Sequence, residues 1–275
     1  MRYHKLPAIM IIISLIIMTP LYVSAKEAQT PHLIQTVTEQ DIFEGMLSLG
    51  LLECSVLETG DCEAAYENVK DCIVQLRMRN AYGSGVIWEI TPVQIIIVTN
   101  KHVLDYWEDE ISYVQFPQGY FTGAEILAIS GEYDIGFLTV SCTEFDYQEL
   151  EQIRYAHHDA EHYQTLCSGD EMFCVGTVDV VDDKENTENA PEYSPNRRDQ
   201  ATIFYQGSVA DRWRYIEEFE EYMIYCYGYA REGMSGGGTF DGKGNLIGII
   251  SGATMNGETA SVPLSLIIEA YEEIR

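Results

Sequence analysis

The sequence predicts an all-β protein: two six-stranded antiparallel β-barrels with a C-terminal helix and an N-terminal extension. Three observations carry this. From Cys72 onward, short runs rich in Val, Ile, Tyr and Phe alternate with turn residues, the pattern of many strands at regular spacing. A polar stretch over 141–165 divides the runs into two sets of about six. From Leu264 to Ile274 the spacing turns helical, with Leu266, Ile267 and Tyr271 on one face.

The elements follow in order. Residues 1–25 read as an export signal: Arg2 and Lys5, then the apolar run Leu6 to Met18, then Val23-Ser24-Ala25 after the helix-breaking Pro20. Left uncleaved, the uncharged stretch Leu6 to Ala25 is long enough to anchor the chain in a membrane. Cleavage after Ala25 is the preferred reading. It leaves a secreted or extracytoplasmic chain with no stable membrane association. Residues 26–71 form the extension, with an amphipathic helix over Glu39 to Leu52 and a turn at Gly60-Asp61.

In the first set of strands are Cys72–Leu76, Val86–Ile90, Gln94–Thr99, Ile111–Phe116, Ala124–Ile129 and Ile135–Val140. The second holds Met172–Val180, Thr202–Val209, Tyr222–Tyr227, Gly237–Phe240 and Leu246–Ser251, with a hairpin turn at Asp241-Gly242-Lys243-Gly244-Asn245. Between them, Asp179 to Gln200 is acidic, carries Pro191 and Pro195 and has no periodicity, so it reads as an exposed loop. Its acids Asp182, Asp183, Glu185 and Glu188 lack the ligand spacing of a calcium loop.

Charge narrows the function classes. With 16 basic against 44 acidic residues, the net charge is −28. That argues against nucleic acid, which needs a basic face, and fits a soluble surface. After the leader come seven cysteines: Cys54, Cys62, Cys72, Cys142, Cys167, Cys174 and Cys226. In an exported chain they predict disulfides, with one thiol left over. Cys167 and Cys174 are near enough to staple a loop, and Cys54, Cys62 and Cys72 could tie the extension to itself or to Cys142. No spacing resembles a zinc site, and no metal or cofactor is expected.

The chemistry centres on Gly233-Met234-Ser235-Gly236-Gly237-Gly238. Glycines allow a sharp turn with positive φ and leave N–H groups uncovered. A serine there suits attack on a carbonyl. It needs a base and an orienting acid. His102 follows the β-branched run ending at Thr99, so a rigid element holds an imidazole able to move protons near neutrality. Asp134 opens the apolar run Ile135–Val140, where a carboxylate at a core edge needs a partner. His158 and His162, four apart, are better read as a solvated helix than as a metal site.

Chain order discriminates. The phrase around Ser235 also matches the G-x-S-x-G elbow of α/β-hydrolases, but that fold places its histidine after the serine. The last histidine here is His162. The order His102, Asp134, Ser235 is that of the chymotrypsin class.

Three phrases then resemble the trypsin-like (chymotrypsin-fold) serine peptidases, in particular the secreted bacterial branch. Thr99-Asn100-Lys101-His102-Val103 looks like that family's T-x-x-H-V. Asp134-Ile135-Gly136-Phe137-Leu138 looks like its D-I-A-L-L strand, and Gly233 to Gly237 looks like G-[DN]-S-G-G. The resemblance covers 72–275, with the boundary between its two barrels near 141–165. It implies a catalytic triad of His102, Asp134 and Ser235 and an oxyanion hole made by the Gly233 and Ser235 N–H groups. It also implies substrate pairing near Ser251. Alignment on Ser235 sets Tyr229 at the base of the specificity pocket, which implies small or apolar side chains there. The implied function is a serine endopeptidase, expected to be a monomer, acting on protein or peptide substrates. Met234 stands where the family often has an aspartate, and Gly238 and Gly136 replace a proline and an alanine. These departures keep a catalytically silent binding or sensing module as the alternative, with an esterase as a third reading.

Overall fold

The computed structural model describes residues 37–178 and 201–275. The leader and the whole acidic loop, Asp179 to Gln200, lie outside the described residues. Residues Thr38–Arg275 form one compact unit.

That unit takes in most of the segment expected to be an extension. Helix α1 (Glu39–Ser48) starts at Thr38, whose hydroxyl accepts from the Asp41 N–H while the Asp41 carboxylate accepts from the Thr38 N–H. This reciprocal cap satisfies two donors that a helix start leaves open. Its Phe43 and Met46 are buried, and Phe43 meets the Tyr147 ring at 6.1 Å. Helix α2 (Cys62–Val69), capped by Asp61, buries Cys62, Ala65 and Val69. Between them the Cys54 N–H donates to Tyr155 O at 2.9 Å, and Glu53 meets the His157 ring at 2.8 Å. The segment is stitched to the linker between the two halves, so the expected break at 71/72 is not a break in packing.

The first half is a sheet of seven strands: β1 (Ile73–Arg77), β2 (Tyr82–Ile90), β3 (Gln94–Thr99), β4 (Tyr113–Gln115), β5 (Phe121–Thr122), β6 (Glu125–Ile129) and β7 (Gly136–Ser141). Their order is β5-β4-β1-β2-β3-β7-β6, an open ladder rather than the closed six-stranded barrel expected. Its two edges are consecutive in the chain. Only Gly123 and Ala124 separate β5 from β6, so those edges stand within about 11 Å, the reach of three extended residues. The sheet therefore curls into a half-barrel without completing its ladder.

A closed barrel forms the second half, in the order β10-β13-β12-β11-β8-β9. Its strands are β8 (Glu171–Val178), β9 (Ala201–Ile216), β10 (Glu221–Tyr227), β11 (Gly238–Asp241), β12 (Leu246–Thr254) and β13 (Glu258–Pro263). The turn predicted at Asp241–Asn245 is present: the Asp241 carboxylate accepts from the N–H groups of Lys243 and Asn245, both at 2.9 Å, and Gly244 takes φ +95°. The closing helix (Leu264–Glu272) buries Leu264, Leu266, Ile267, Ala270 and Tyr271.

The disulfide expectation is corrected. All seven cysteines are free thiols, six of them buried and Cys167 exposed. Cys174 sits in β8 inside the barrel and cannot staple the loop at Cys167. Burial pushes the thiols of Cys62, Cys142 and Cys174 up to about 11, so they behave as small apolar side chains.

Candidate active site

Ser84 binds the two halves together. Its N–H donates to Ser235 O at 2.8 Å. Its hydroxyl donates to Gly233 O at 2.7 Å and accepts from the Thr177 N–H at 2.8 Å. Its carbonyl accepts from the Thr99 hydroxyl at 2.7 Å. One buried residue of β2 thus touches both sides of the candidate nucleophile and the strand leading to the candidate base.

That strand, β3, ends at Thr99, and the short helix α3 (Lys101–Leu104) carries His102. Asp134 reaches His102 with both carboxylate oxygens: Oδ2 lies 2.9 Å from the ring Nδ1, and Oδ1 accepts from the His102 N–H at 3.0 Å. The Asp134 side chain is only 19 % exposed, so little water competes for these bonds. Asn100 ties this pair to the second half. Its Nδ2 donates to Asp134 O at 3.1 Å and to Ser251 Oγ at 2.9 Å. Ser251, on β12, is thereby placed against the His102–Asp134 pair.

Gly233 and Gly236 adopt φ +90° and +81°, a region that suits glycine. The N–H groups of Met234, Gly236 and Gly237 donate to Arg231 O, Ile250 O and Met234 O. Among the described residues those of Gly233 and Ser235 donate to no protein acceptor. Two bare N–H groups beside a serine are the donor set an oxyanion needs. His102 and Ser235 are not hydrogen-bonded to each other among the described residues. Such bonds are often long in a ligand-free site and tighten when substrate binds.

Met234 is fully buried, packed on Gly176 of β8, where an added Cβ would come within 2.7–2.8 Å of it. An aspartate there would put a charge where a fully buried apolar side chain now packs. Met234→Asp is expected to destabilise the fold by about 3 kcal/mol or more, read as a lower urea midpoint; an unchanged midpoint would show that the slot accepts a charge. Leu104 fills the space beside Gly136, and the Phe240 ring fills that beside Gly238.

Beside Ser235 lies a cavity of about 390 Å³ bounded by Ala230, Glu232, Ile250, Gly252, Ala253 and Met255, among others. Tyr229, expected at its base, does not line it. The side chain is 56 % exposed, with its ring over Gly257 and 6.2 Å from the Tyr205 ring. Along β12 a second cavity, of about 630 Å³, shares Gly252, Ala253 and Thr254 and is edged by Tyr215 and Phe219 of the β9–β10 hairpin. The Phe219 ring rests on Gly252, 2.6 Å from where a Cβ would stand. The remaining histidine expectations resolve into packing. His158 stacks on Trp88 at 3.8 Å, His162 pairs with Asp241 at 2.6 Å, and no cluster of potential metal ligands occurs among the described residues.

Sequence reading missed Ser84 and Asn100. Gly83-Ser84-Gly85 carried a signal, since three small residues in a strand mark a close backbone approach. Glu221 opens β10, with its Oε1 sealed from solvent and without a hydrogen-bond partner. Burial, joined by the Asp134 charge, pushes its carboxyl up to about 7.

A half-barrel and a barrel, with a histidine–aspartate pair and a glycine-flanked serine held at their seam, define a chymotrypsin-like architecture. Residues 83–249 match the family model of the trypsin-like peptidase domain, and the chain belongs to that family. Among solved structures it is similar to the HtrA-type protease AlgW with a tripeptide, at 19 % identity and TM-score 0.60, over 78 % of this chain and 63 % of that one. It is also similar to the serine endoprotease from Yersinia pestis, at 18 % identity and TM-score 0.58, over 79 % and 68 %. The chain thus spans under two thirds of the length of AlgW. No curated protein matches it.

Proposed function

We propose that the chain is an extracytoplasmic serine endopeptidase. The observation that carries this is the His102–Asp134 pair, with both carboxylate oxygens engaged, beside a serine whose neighbouring N–H groups are bare. In this reading Ser235 Oγ attacks the scissile carbonyl and His102 takes its proton. Asp134 fixes the imidazole tautomer and stabilises the cation. The Gly233 and Ser235 N–H groups receive the developing oxyanion, each worth roughly a hundred- to thousandfold in rate. His102 then protonates the leaving amine, and water releases the acyl group from Ser235. The peptide lies along β12 near Ser251, with one side chain entering the 390 Å³ cavity, whose lining includes Arg231 and Glu232.

The specific observation favouring the silent-module alternative is the missing His102–Ser235 hydrogen bond. A fluorophosphonate probe separates the two readings. Stoichiometric labelling, mapped to Ser235 by mass spectrometry, is expected of the enzyme. A folded protein that stays unlabelled would be the binding module.

A further inference from the structure

Asn100 stands in the cap position at the start of helix α3. Asparagine suits that position because its side-chain oxygen can accept from the first free N–H groups of a helix. Here the side chain makes no cap bond. One donor it could take, the His102 N–H, goes instead to Asp134 Oδ1 at 3.0 Å. The Asn100 side chain turns the other way and is fully buried, with Nδ2 donating to Asp134 O at 3.1 Å and to Ser251 Oγ at 2.9 Å. Its Oδ1 is sealed from solvent and has no hydrogen-bond partner. A main-chain carbonyl only accepts, so the amide nitrogen must be the atom that faces Asp134 O. An unused cap and an unpaired buried oxygen are both unfavourable for the fold. The bonds to Asp134 and Ser251 therefore call for a role beyond packing.

The two partners come from opposite halves. Asp134 sits in the turn between β6 and β7. There the Ser130 hydroxyl accepts from the N–H groups of Glu132 and Tyr133, and Lys101 Nζ donates to Ser130 O at 3.2 Å. None of these bonds reaches Asp134. Ser251 is the extra residue of a β-bulge in β12: Ile250 pairs with Ser261 and Gly252 with Ala260, so Ser251 faces no residue of β13. Bulges re-aim a side chain, and this one sends the Ser251 hydroxyl across the seam to Asn100. The next residue, Gly252, lines the cavity beside Ser235. One amide group thus joins the strand along the cavity to the carboxylate that holds His102.

Resting on the serine-peptidase reading, we propose that Asn100 is a positioning residue for Asp134. It fixes the Asp134 main chain against β12, so that one carboxylate oxygen holds the His102 ring and the other holds the His102 N–H. Asn100 itself touches neither the substrate nor the reacting atoms. A carboxylate only accepts, so the bond to Nδ1 selects the tautomer with its proton there and leaves Nε2 free to take the Ser235 proton. A drift of about an ångström at Asp134 would spoil the aim of the ring, and displacements of that size can lower a rate about a hundredfold. The neighbours of Ser251 stay paired with β13 whether or not Asn100 is present, so turnover is lost rather than binding.

The test uses Asn100→Ala, which removes both bonds, and Ser251→Ala, which removes only the one across the seam. Asn100→Ala is expected to lose roughly 10- to 100-fold in kcat, with KM within about twofold of the wild type. Ser251→Ala should lose less. In the Asn100→Ala background it should add nothing further, since the bond it removes is already gone. The proton on His102 Nδ1 provides a readout independent of activity, because a charge-assisted bond to Asp134 gives it a low-field NMR signal beyond the amides. That signal should be present in the wild type and lost, or moved towards the amides, in Asn100→Ala. A purely structural Asn100 would lower the urea midpoint on substitution and leave the signal and kcat as in the wild type; that result, or additive losses in the double variant, would overturn the proposal. Should Asn100→Ala fail to fold, Ser251→Ala decides: a displaced signal with reduced kcat supports the proposal, and an unchanged signal overturns it. A wild type that neither takes the fluorophosphonate label nor hydrolyses peptide defeats the peptidase reading instead, and the Nδ1 proton signal then decides the role of Asn100 alone.

Discussion

Ser235→Ala is expected to lower peptide hydrolysis by roughly 10⁴- to 10⁶-fold while leaving stability within about 0.5 kcal/mol of the wild type. The two halves of this expectation have separate causes. The Ser235 side chain is only partly buried, and the loop is held by main-chain groups: Ser235 O on the Ser84 N–H, the Gly236 N–H on Ile250 O and the Gly237 N–H on Met234 O, each at 2.8 Å. Removing one hydroxyl leaves those bonds intact. Chemistry by acyl transfer, in contrast, has no substitute nucleophile on this loop, where Ser235 is flanked only by Met234 and glycines. Hydrolysis of a quenched peptide substrate checks the rate and urea unfolding checks the fold. Activity above a hundredth of the wild type in a folded Ser235→Ala protein would remove Ser235 from the nucleophile role.

Gly236→Ala should damage the fold itself, by about 3 kcal/mol or more. Its φ of +81° is unfavourable for any residue with a Cβ. That Cβ would also collide with the Thr99 hydroxyl and with Ser84 O, both part of the strands that carry the site. The neighbours cannot retreat, since the Thr99 hydroxyl and Ser84 O are bonded to each other. Gly123→Ala provides the control. A Cβ there meets nothing within 4 Å, and its effect should stay within about 0.5 kcal/mol. Comparable urea midpoints for the two variants would show that the seam is softer than its contacts imply.

The strands of the second half were legible because each is a β-branched or aromatic run with turn residues at its ends, as in Leu246–Thr254 after the Asp241–Asn245 turn. Strand β13 was not. Glu258-Thr259-Ala260-Ser261 has no apolar alternation, since its Thr259 and Ser261 face a polar pair inside the barrel: the Thr239 and Ser261 hydroxyls meet at 2.6 Å. Closure of the first half was unreadable for a related reason. Whether a ladder completes depends on edges as short as Phe121–Thr122, below the length at which periodicity speaks.

At the site, His102 and Asp134 could be paired from strand ends and chain order, and their bonds at 2.9 and 3.0 Å agree with that pairing. Tyr229 was expected at the base of the specificity pocket by counting back from Ser235, and the loop sends its ring over Gly257.

The fourfold use of Ser84 has a dynamic consequence. Its N–H, hydroxyl and carbonyl bond to Ser235, Gly233, Thr177 and Thr99, so the seam between the halves cannot part without undoing the nucleophile loop. Local opening is commonly confined to cooperative units of low stability. Here such a unit would contain the nucleophile loop and the seam together. Amide exchange at Ser84 would then measure how often the molecule is out of action, and ligands that close over Ser235 would slow that exchange as they bind.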